Sequence, residues 1–222
     1  MPLIGDVRTG GRTVASGDFY CPSCGGDRRY RKRIGRRWHG IGGLPLLPSP
    51  GRLAVVECVT CHTAHQPEVL ERPTTAALAG MLREGARTAV TAVLTAGGPP
   101  GAASRERAAA ALRQYGWATP HFPRASGEAP ASGAPADPLR DALEPVARHL
   151  APQGRERLLR LAAGVALADG PYAPAERAVL AAVGHRLGLT APDVERITAE
   201  VARASDGPPG DTRRGGGAGH GG

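Results

Sequence analysis

The sequence predicts a mainly α-helical protein that is preceded by a small β module. Two C-x-x-C pairs, Cys21–Cys24 and Cys58–Cys61, contain all four cysteines of the 222-residue chain. From Thr74 onward, alanine, leucine and arginine dominate and recur at helical spacing. Aromatic residues make up only 4%, so a core of Leu, Val and Ala is expected, which suits closely packed helices better than a sheet sandwich.

Composition divides the chain into segments, with a domain boundary near Pro73. The start of the chain carries glycine, threonine and charge without periodicity, and the end is rich in glycine. The predicted segments are a flexible lead-in at 1–18, a cysteine-containing module at 19–72, an all-helical domain at 75–203 with a Pro/Gly/Ser-rich loop at 117–136, and a disordered tail at 204–222.

Within the first module, residues 27–39 and 52–58 alternate enough to form two arms of a β-ribbon. The apolar stretch IGGLPLLP would join them as a turn, and its residues 41–47 could instead contact a partner or a lipid surface. About fifty residues with few large apolar side chains cannot bury enough surface alone. We therefore expect a metal ion to hold this module together.

The cysteine spacing predicts one structural Zn²⁺ bound by Cys21, Cys24, Cys58 and Cys61. Four thiolates satisfy the tetrahedral preference of zinc and leave no position open for chemistry. Gly25 suits the tight turn after the first pair, whereas the second pair has His62 where glycine would be easier. His62 or His65 could replace a cysteine as a ligand, but both are expected to be solvent-exposed neighbours of the site.

The segment CVTCH, residues 58–62, also fits the pattern that attaches haem c. In bacteria that attachment follows export, and the N-terminal stretch MPLIGDVRTGGRT shows no export signal. Only Met1 and Met81 could supply a sulfur axial ligand, although a second histidine could serve. Disulfides and a catalytic dithiol are further alternatives. Paired spacing of this kind favours metal ligation in a reducing cytoplasm.

A cluster of cations lies between the two cysteine pairs, with Tyr30 and Trp38 beside it, in a chain of net charge +8. Arginine matches phosphate oxygens and aromatic rings stack on bases, so the cluster is a candidate nucleic-acid surface. The alternative, which we favour, is a ribbon edge kept soluble by charge. The cluster consists of Arg28, Arg29, Arg31, Lys32, Arg33, Arg36 and Arg37.

Helical spacing predicts a first helix over about Thr75–Ala96, capped by threonine and ended by GGPP, and a second from after Ser104 to Gly116. Asp137-Pro138 indicates the next start, and Pro145 predicts a kink or two short helices. The last three are expected at about Pro152–Ala168, Pro174–Leu187 with Gly188 as cap, and Ala191–Arg203 with Thr190 as cap.

Residues 158–189 contain an apolar helix ending in Ala168-Asp169-Gly170, a short turn, and a helix with an early glutamate, Glu176. Gly188-Leu189-Thr190 then precedes one more helix. This pattern resembles the TerB family, the helical domain associated with bacterial tellurite resistance and related to the N-terminal domain of the DjlA co-chaperone. The resemblance is specific over about 155–203 and extends back to Thr75. The cysteine module resembles the zinc ribbon that precedes TerB-like domains in actinobacterial proteins.

The resemblance implies an acidic surface at Asp169 and Glu176 that could bind a divalent cation. Asp169-Gly170 and Glu176 have the spacing of the second half of an EF-hand loop, but Val165 and Leu167 stand where its earlier ligands would be. The simpler interpretation is that Asp169 caps local amides and that Glu176 complements a helix start.

The expected function is binding rather than catalysis, because no nucleophile elbow, phosphate-binding loop or H-E-x-x-H motif is present. The resemblance implies a cytoplasmic adaptor or sensor in a tellurite or chemical-stress response. Its partners would be unidentified proteins, including other stress-response proteins at the inner membrane face. No run of residues is apolar enough to span a membrane. The alternative is a nucleic-acid-binding regulatory protein that uses the arginine-rich strand.

Overall fold

The structure is a computed structural model, and it describes residues 12–35, 38–41, 44–48, 53–118 and 137–206. The chain divides into two compact units, Met1–Met81 and Leu82–Gly222. The predicted fold class is confirmed, because the protein is mostly helical with a small antiparallel sheet ahead of the main helical region. The predictions for 1–11, for 119–136 and for 207–222 lie outside the described residues.

The N-terminal unit contains a four-stranded antiparallel sheet of order β1-β2-β5-β6, and β3 and β4 pair as a separate hairpin. The predicted ribbon is confirmed where β2 pairs with β5, with Tyr30 opposite Cys58. The prediction was wrong beyond Gly35, because residues 38–39 belong to β3 and the stretch predicted as a turn contains β4. A 3-10 helix, Pro67–Glu71, follows. The strands are β1 Arg12–Cys21, β2 Gly26–Gly35, β3 Trp38–Ile41, β4 Leu44–Pro48, β5 Leu53–Cys58 and β6 Ala64–His65.

Strand β1 begins at Arg12, so the prediction of a flexible segment was wrong for residues 12–18. Nearly all of these side chains are exposed, and burial starts only at Phe19. A strand held by its backbone pairing to β2 shows no alternation of apolar and polar residues. Periodicity could therefore not reveal it.

The core of the N-terminal unit is small and includes two of the cysteines. Phe19, Cys21, Val56 and Cys58 are buried. Tyr30 packs edge-on against Phe19, with ring centroids 5.7 Å apart. Cys24, Val69 and Leu70 pack against this cluster from its margin.

The helical elements match the predicted ones closely. Thr74 caps the first helix as predicted, because its hydroxyl accepts a hydrogen bond from the amide of Ala77 at 3.1 Å. Asp137 caps the third helix through the amide of Arg140 at 3.0 Å. The helices are α1 Thr75–Ala96, α2 Ala102–Arg113, α3 Pro138–Ala147, α4 Pro152–Ala166, α5 Pro174–Arg186 and α6 Ala191–Asp206, with a 3-10 turn, Leu167–Asp169, after α4.

Three predictions about helix limits need correction. The second helix begins at Ala102 rather than after Ser104, and its cap position is Gly101. Residues 138–147 form one helix that contains Pro145, so the alternative of two short helices was wrong; Leu143 and Val146, on either side of the proline, are fully buried. Helix α6 extends to Asp206, so residues 204–206 are helical rather than part of a disordered tail. No helix-breaking residue occurs between Arg203 and Gly207.

Leucine, valine and alanine form the core of the C-terminal unit, as the low aromatic content predicts. Helices α4 and α6 pack on each other, and α4 also packs on α2 and α5. Gly188 ends α5 with a φ of 71°, a conformation that glycine adopts without strain. The larger buried side chains are Val90, Val93, Leu94, Leu112, Leu143, Leu158, Leu159, Val165, Leu180, Val183, Leu187, Val194 and Ile197.

Candidate metal centre

The first cysteine pair lies at the turn between β1 and β2. Cys21 is the last residue of β1 and β2 begins at Gly26, so the pair occupies a tight turn. The amide of Gly25 donates to the carbonyl of Cys21 at 2.9 Å. Gly25 has a φ of 67°, which is the reason that a glycine fits directly after the second cysteine.

The second pair repeats this turn after β5, with histidine in the position of glycine. The amide of His62 donates to the carbonyl of Cys58 at 3.0 Å, and His62 has a φ of 58°. Left-handed backbone is costly for a residue with a Cβ atom. Nδ1 of His62 lies 3.5 Å from the Glu57 carboxylate. The side chain of His62 is exposed, as predicted.

The two turns bring four sulfur atoms together. Sγ of Cys21 lies 3.8 Å from Sγ of Cys61, Sγ of Cys24 lies 4.0 Å from Sγ of Cys58, and all four atoms lie within 4.8 Å of one another. A zinc ion with bonds of about 2.3 Å requires sulfur atoms about 3.8 Å apart at the corners of a tetrahedron. A disulfide requires about 2.05 Å. The arrangement therefore fits a tetrahedral metal ion and is not a pair of disulfides.

The four cysteines differ in exposure. Cys21 and Cys58 have no accessible surface, Cys24 is half-buried, and Cys61 is exposed. Cys61 is also the member of the set that lies outside the Phe19 and Val56 cluster. One side of the centre thus faces the protein core and the other faces solvent.

The two more exposed thiols, those of Cys24 and Cys61, have different pKa values because their hydrogen bonds differ. The hydroxyl and amide of Thr63 lower the pKa of Cys61 to about 6. A hydrogen bond with Cys61, together with burial, raises the pKa of Cys24 to about 12. A thiolate at Cys61 is thus the form that the neighbouring groups stabilise, and thiolate is the form that binds a metal.

His65 lies beside the site, as predicted. Its Nε2 is 3.6 Å from Sγ of Cys21, and its ring contacts the edge of Phe19 at a centroid distance of 5.9 Å. The residue is half-buried, so the prediction that it is solvent-exposed was wrong. Pairing of β6 with β5 places His65 opposite Val56, and this short pairing has no pattern in the sequence.

The candidate phosphate-binding cations lie on β2, which has neighbours on both sides. The ribbon-edge interpretation was therefore wrong, since β2 pairs with both β1 and β5. Strand alternation puts Arg28 and Lys32 on one face and Arg29, Arg31 and Arg33 on the other. Arg28, Arg29 and Arg31 are exposed, whereas Arg33 is paired with Glu57 at 3.0 Å. Arg36 and Arg37 lie outside the described residues.

Asp169 caps a helix that is distant in the sequence. Its carboxylate accepts hydrogen bonds from the amides of Gly101 at 2.9 Å and Ser104 at 3.2 Å, at the start of α2. Hydrogen bonding to Ser104 and to the Gly101 amide lowers the pKa of Asp169. Asp169 therefore caps amides, but the prediction that these amides are local was wrong, because they lie at the start of α2 rather than in its own turn.

Glu176 has the predicted role at the start of α5. Its Oε2 accepts a hydrogen bond from the amide of Ala173 at 2.8 Å, and Glu176 is the third residue of that helix. Both carboxylates of the acidic turn thus accept hydrogen bonds from backbone amides. Among the described residues, the four cysteines form the only group of three or more side chains placed to hold a metal ion.

A family model described as tellurite resistance protein TerB matches residues 84–199. The chain belongs to the TerB family. The match includes most of α1, all of α2 to α5 and most of α6, and it contains both Asp169 and Glu176. The resemblance to the TerB family is therefore confirmed. The four cysteines precede the TerB match and are consistent with a zinc ribbon.

No curated protein and no solved structure matches the chain. Within the described parts of this TerB-family protein, no helix is long and apolar enough to cross a bilayer.

Proposed function

We propose that the chain is a non-enzymatic adaptor or sensor in a bacterial response to tellurite or other chemical stress. It combines a structural zinc ribbon with a TerB helical domain. The observation that carries this proposal is the TerB match over 84–199 beside a separate four-cysteine centre. Its place of action would be the cytoplasm, where paired cysteines remain reduced and available to a metal.

The chemistry of the donor set supports a structural role for the metal. One Zn²⁺ held by Cys21, Cys24, Cys58 and Cys61 would have a complete tetrahedral shell, without a position for a water or a substrate. Such an ion would tie the β1-β2 turn to the turn after β5. The small core around Phe19 and Val56 explains why this unit needs it.

The helical domain would contribute the surface that proteins recognise. Asp169 is exposed and Glu176 is half-buried, so the acidic turn can be reached from solvent while it caps two helices. Both carboxylates already accept hydrogen bonds from backbone amides, which weighs against divalent-cation binding at this turn. Candidate partners are other stress-response proteins at the inner face of the membrane.

The first experiment is native mass spectrometry with an absorption spectrum of the purified protein. One zinc ion and no haem band are expected. A haem band would show that the zinc assignment is wrong and would make electron transfer the leading hypothesis. Loss of a second, weaker calcium or magnesium ion on Asp169→Asn would assign metal binding to the acidic turn.

The physiological role is tested by deleting the gene in the source bacterium and measuring growth over a range of tellurite concentrations. Growth should be impaired and should be restored by the wild-type chain. Cys58→Ser should fail to restore it, whereas Ser23→Ala, an exposed change in the first cysteine turn, should succeed. If the deletion strain tolerates tellurite and oxidants as well as its parent, the stress-response proposal is wrong.

A second candidate is nucleic-acid binding by β2. Arg29 and Arg31 are exposed on one face of the sheet, with Arg33 beside them. Arginines spaced two residues apart on a strand can follow a phosphate backbone. Asp18 lies opposite Arg29 and Glu57 lies opposite Arg31, which reduces the positive charge of this face.

Fluorescence anisotropy with duplex and single-stranded probes at low salt tests this candidate. Binding should weaken steeply with salt, and the double change Arg29→Ala, Arg31→Ala should remove most of it. Arg28→Ala, on the opposite face, is the matched control. If no probe binds at low salt, the nucleic-acid function is excluded.

A further inference from the structure

We propose that Cys61 is the modification site at which peroxides and thiol-directed electrophiles enter the four-cysteine centre. The proposal goes beyond the adaptor function and depends only on occupancy of the centre by a metal. Reaction at this one sulfur would open the metal shell and release the ion.

Unequal burial is the first observation behind this assignment. Cys21 and Cys58 are 0% exposed and belong to the core cluster with Phe19 and Val56. Cys24 packs against the same cluster and is half-buried. A reagent in solution therefore meets Cys61 before it can reach the other sulfurs.

The surroundings of Cys61 leave an open approach. Residues 59–64 are all exposed, including the apolar side chain of Val59 at 37%. Cys21, by contrast, is buried in one cluster with Phe19, and its Sγ lies 3.6 Å from Nε2 of His65. The protein thus shields one sulfur with an aromatic ring and an imidazole and leaves another at the surface.

The side chain of Thr63 affects the reactivity of Cys61. Its hydroxyl oxygen lies 3.3 Å from Sγ of Cys61. When Cys61 is a thiolate, the hydroxyl donates to the sulfur and stabilises its negative charge. A stabilised thiolate is a weaker nucleophile. Removal of the hydroxyl should therefore accelerate the attack of Cys61 on an electrophile.

A peroxide would oxidise the centre in two steps. Sγ of Cys61 attacks one peroxide oxygen, an S–O bond forms, the O–O bond breaks, and the other oxygen leaves as hydroxide. Sγ of Cys21, which lies 3.8 Å away, then attacks the sulfenic sulfur, forms an S–S bond and expels a second hydroxide. Two thiolates lose two electrons and the peroxide gains them, so Cys21 and Cys61 would no longer be available to a bound metal ion.

The first test uses the zinc-loaded full chain and N-ethylmaleimide below one equivalent. Top-down mass spectrometry then locates the adduct in molecules that carry only one. Most single adducts should be at Cys61. An even distribution over the four cysteines, a majority at another cysteine, or a chain that retains no zinc during loading overturns the proposal.

The second test measures zinc release by hydrogen peroxide with a colorimetric chelator. Thr63→Val should release zinc several-fold faster than the wild type, while Thr60→Val, an exposed change in the same turn, should not alter the rate. Peptide mapping of the oxidised chain should give a Cys21–Cys61 disulfide. Equal rates in the two variants, or a Cys58–Cys61 disulfide as the main product, would contradict the mechanism.

Discussion

The sheet unit buries Phe19, Val56 and two cysteines, whereas the helical unit buries a continuous set of leucine, valine and alanine side chains. The small core of the sheet unit includes cysteines whose sulfur atoms lie at metal-ligand distances, whereas the hydrophobic core of the helical unit consists of apolar side chains. One chain can thus use two sources of stability. In the function proposed above, metal ligation would stabilise the sheet, whereas burial of apolar surface stabilises the helices.

Metal removal should produce the largest difference in stability between the two units. Structural zinc contributes about 10–16 kcal/mol of apparent binding free energy in zinc-finger peptides, far more than a small apolar core can replace. A strong chelator should therefore unfold the sheet and leave the helices folded. Hydrogen exchange should show loss of protection at residues 12–58 with little change at 138–206. Retained protection in the sheet after complete zinc loss would show that its core is sufficient.

A cavity in the helical core should destabilise the helices and leave zinc binding by the sheet unit unchanged. Leu159 on α4 has no accessible surface, so Leu159→Ala should lower the free energy of unfolding of the helices by about 2–5 kcal/mol. The matched control is Leu161→Ala on the same helix. Because Leu161 is only half-buried, this change should lower the free energy of unfolding less. Thermal unfolding followed by circular dichroism measures both, and zinc stoichiometry should not change. Zinc loss on Leu159→Ala would show that the two units are not independent in stability.

Acid should weaken the helical unit through Asp169. Because the folded-state pKa of Asp169 lies below its ordinary value of 3.8, its stabilising effect is present above that value and is lost as the pH falls through the folded pKa. Asp169→Asn should lower Tm at neutral pH less than Leu159→Ala does. It should also make Tm less dependent on pH below about 4.

The matched control for this pH profile is Asp141→Asn on α3. Asp141 stands in the first turn of its helix but is not the residue that caps it. Identical pH profiles for Asp169→Asn and the wild type would contradict the assignment of Asp169 as the cap of α2.

The smallest effect concerns His62 in the second cysteine turn. Its left-handed backbone costs a residue with a Cβ atom about 1–2 kcal/mol, and glycine avoids most of that cost. His62→Gly should therefore bind zinc more tightly than His62→Ala, which retains the Cβ atom. Competition with a chelator of known affinity measures the difference. Equal affinities would show that the Glu57 contact, rather than backbone strain, governs this position.

Much of the fold could be predicted because its signals are local. Thr74 and Asp137 cap helices as expected, since a capping side chain reaches amides only two or three residues away. Gly188 follows α5 for the same local reason. Strand β1 could not be predicted over residues 12–18, because its stability comes from pairing with β2 rather than from its own pattern.

The clustering of the four cysteines could be predicted from the spacing of the two C-x-x-C pairs. The half-buried position of His65 beside Cys21 could not, because it depends on the two-residue strand β6. The separation of Arg29 and Arg31 from Arg28 follows from strand alternation once β2 is known. The central place of β2 in the sheet depends on β1, which carries no readable pattern.

The sequence by itself determined the helices, the TerB resemblance and the four candidate ligands, because propensity, capping and ligand spacing act over a few residues. Only the tertiary structure decided that Asp169 caps α2 and that Cys61 alone among the four cysteines is exposed. Residues far apart in the chain meet through packing of whole elements. The partner of a side chain and its access to solvent are properties of that packing.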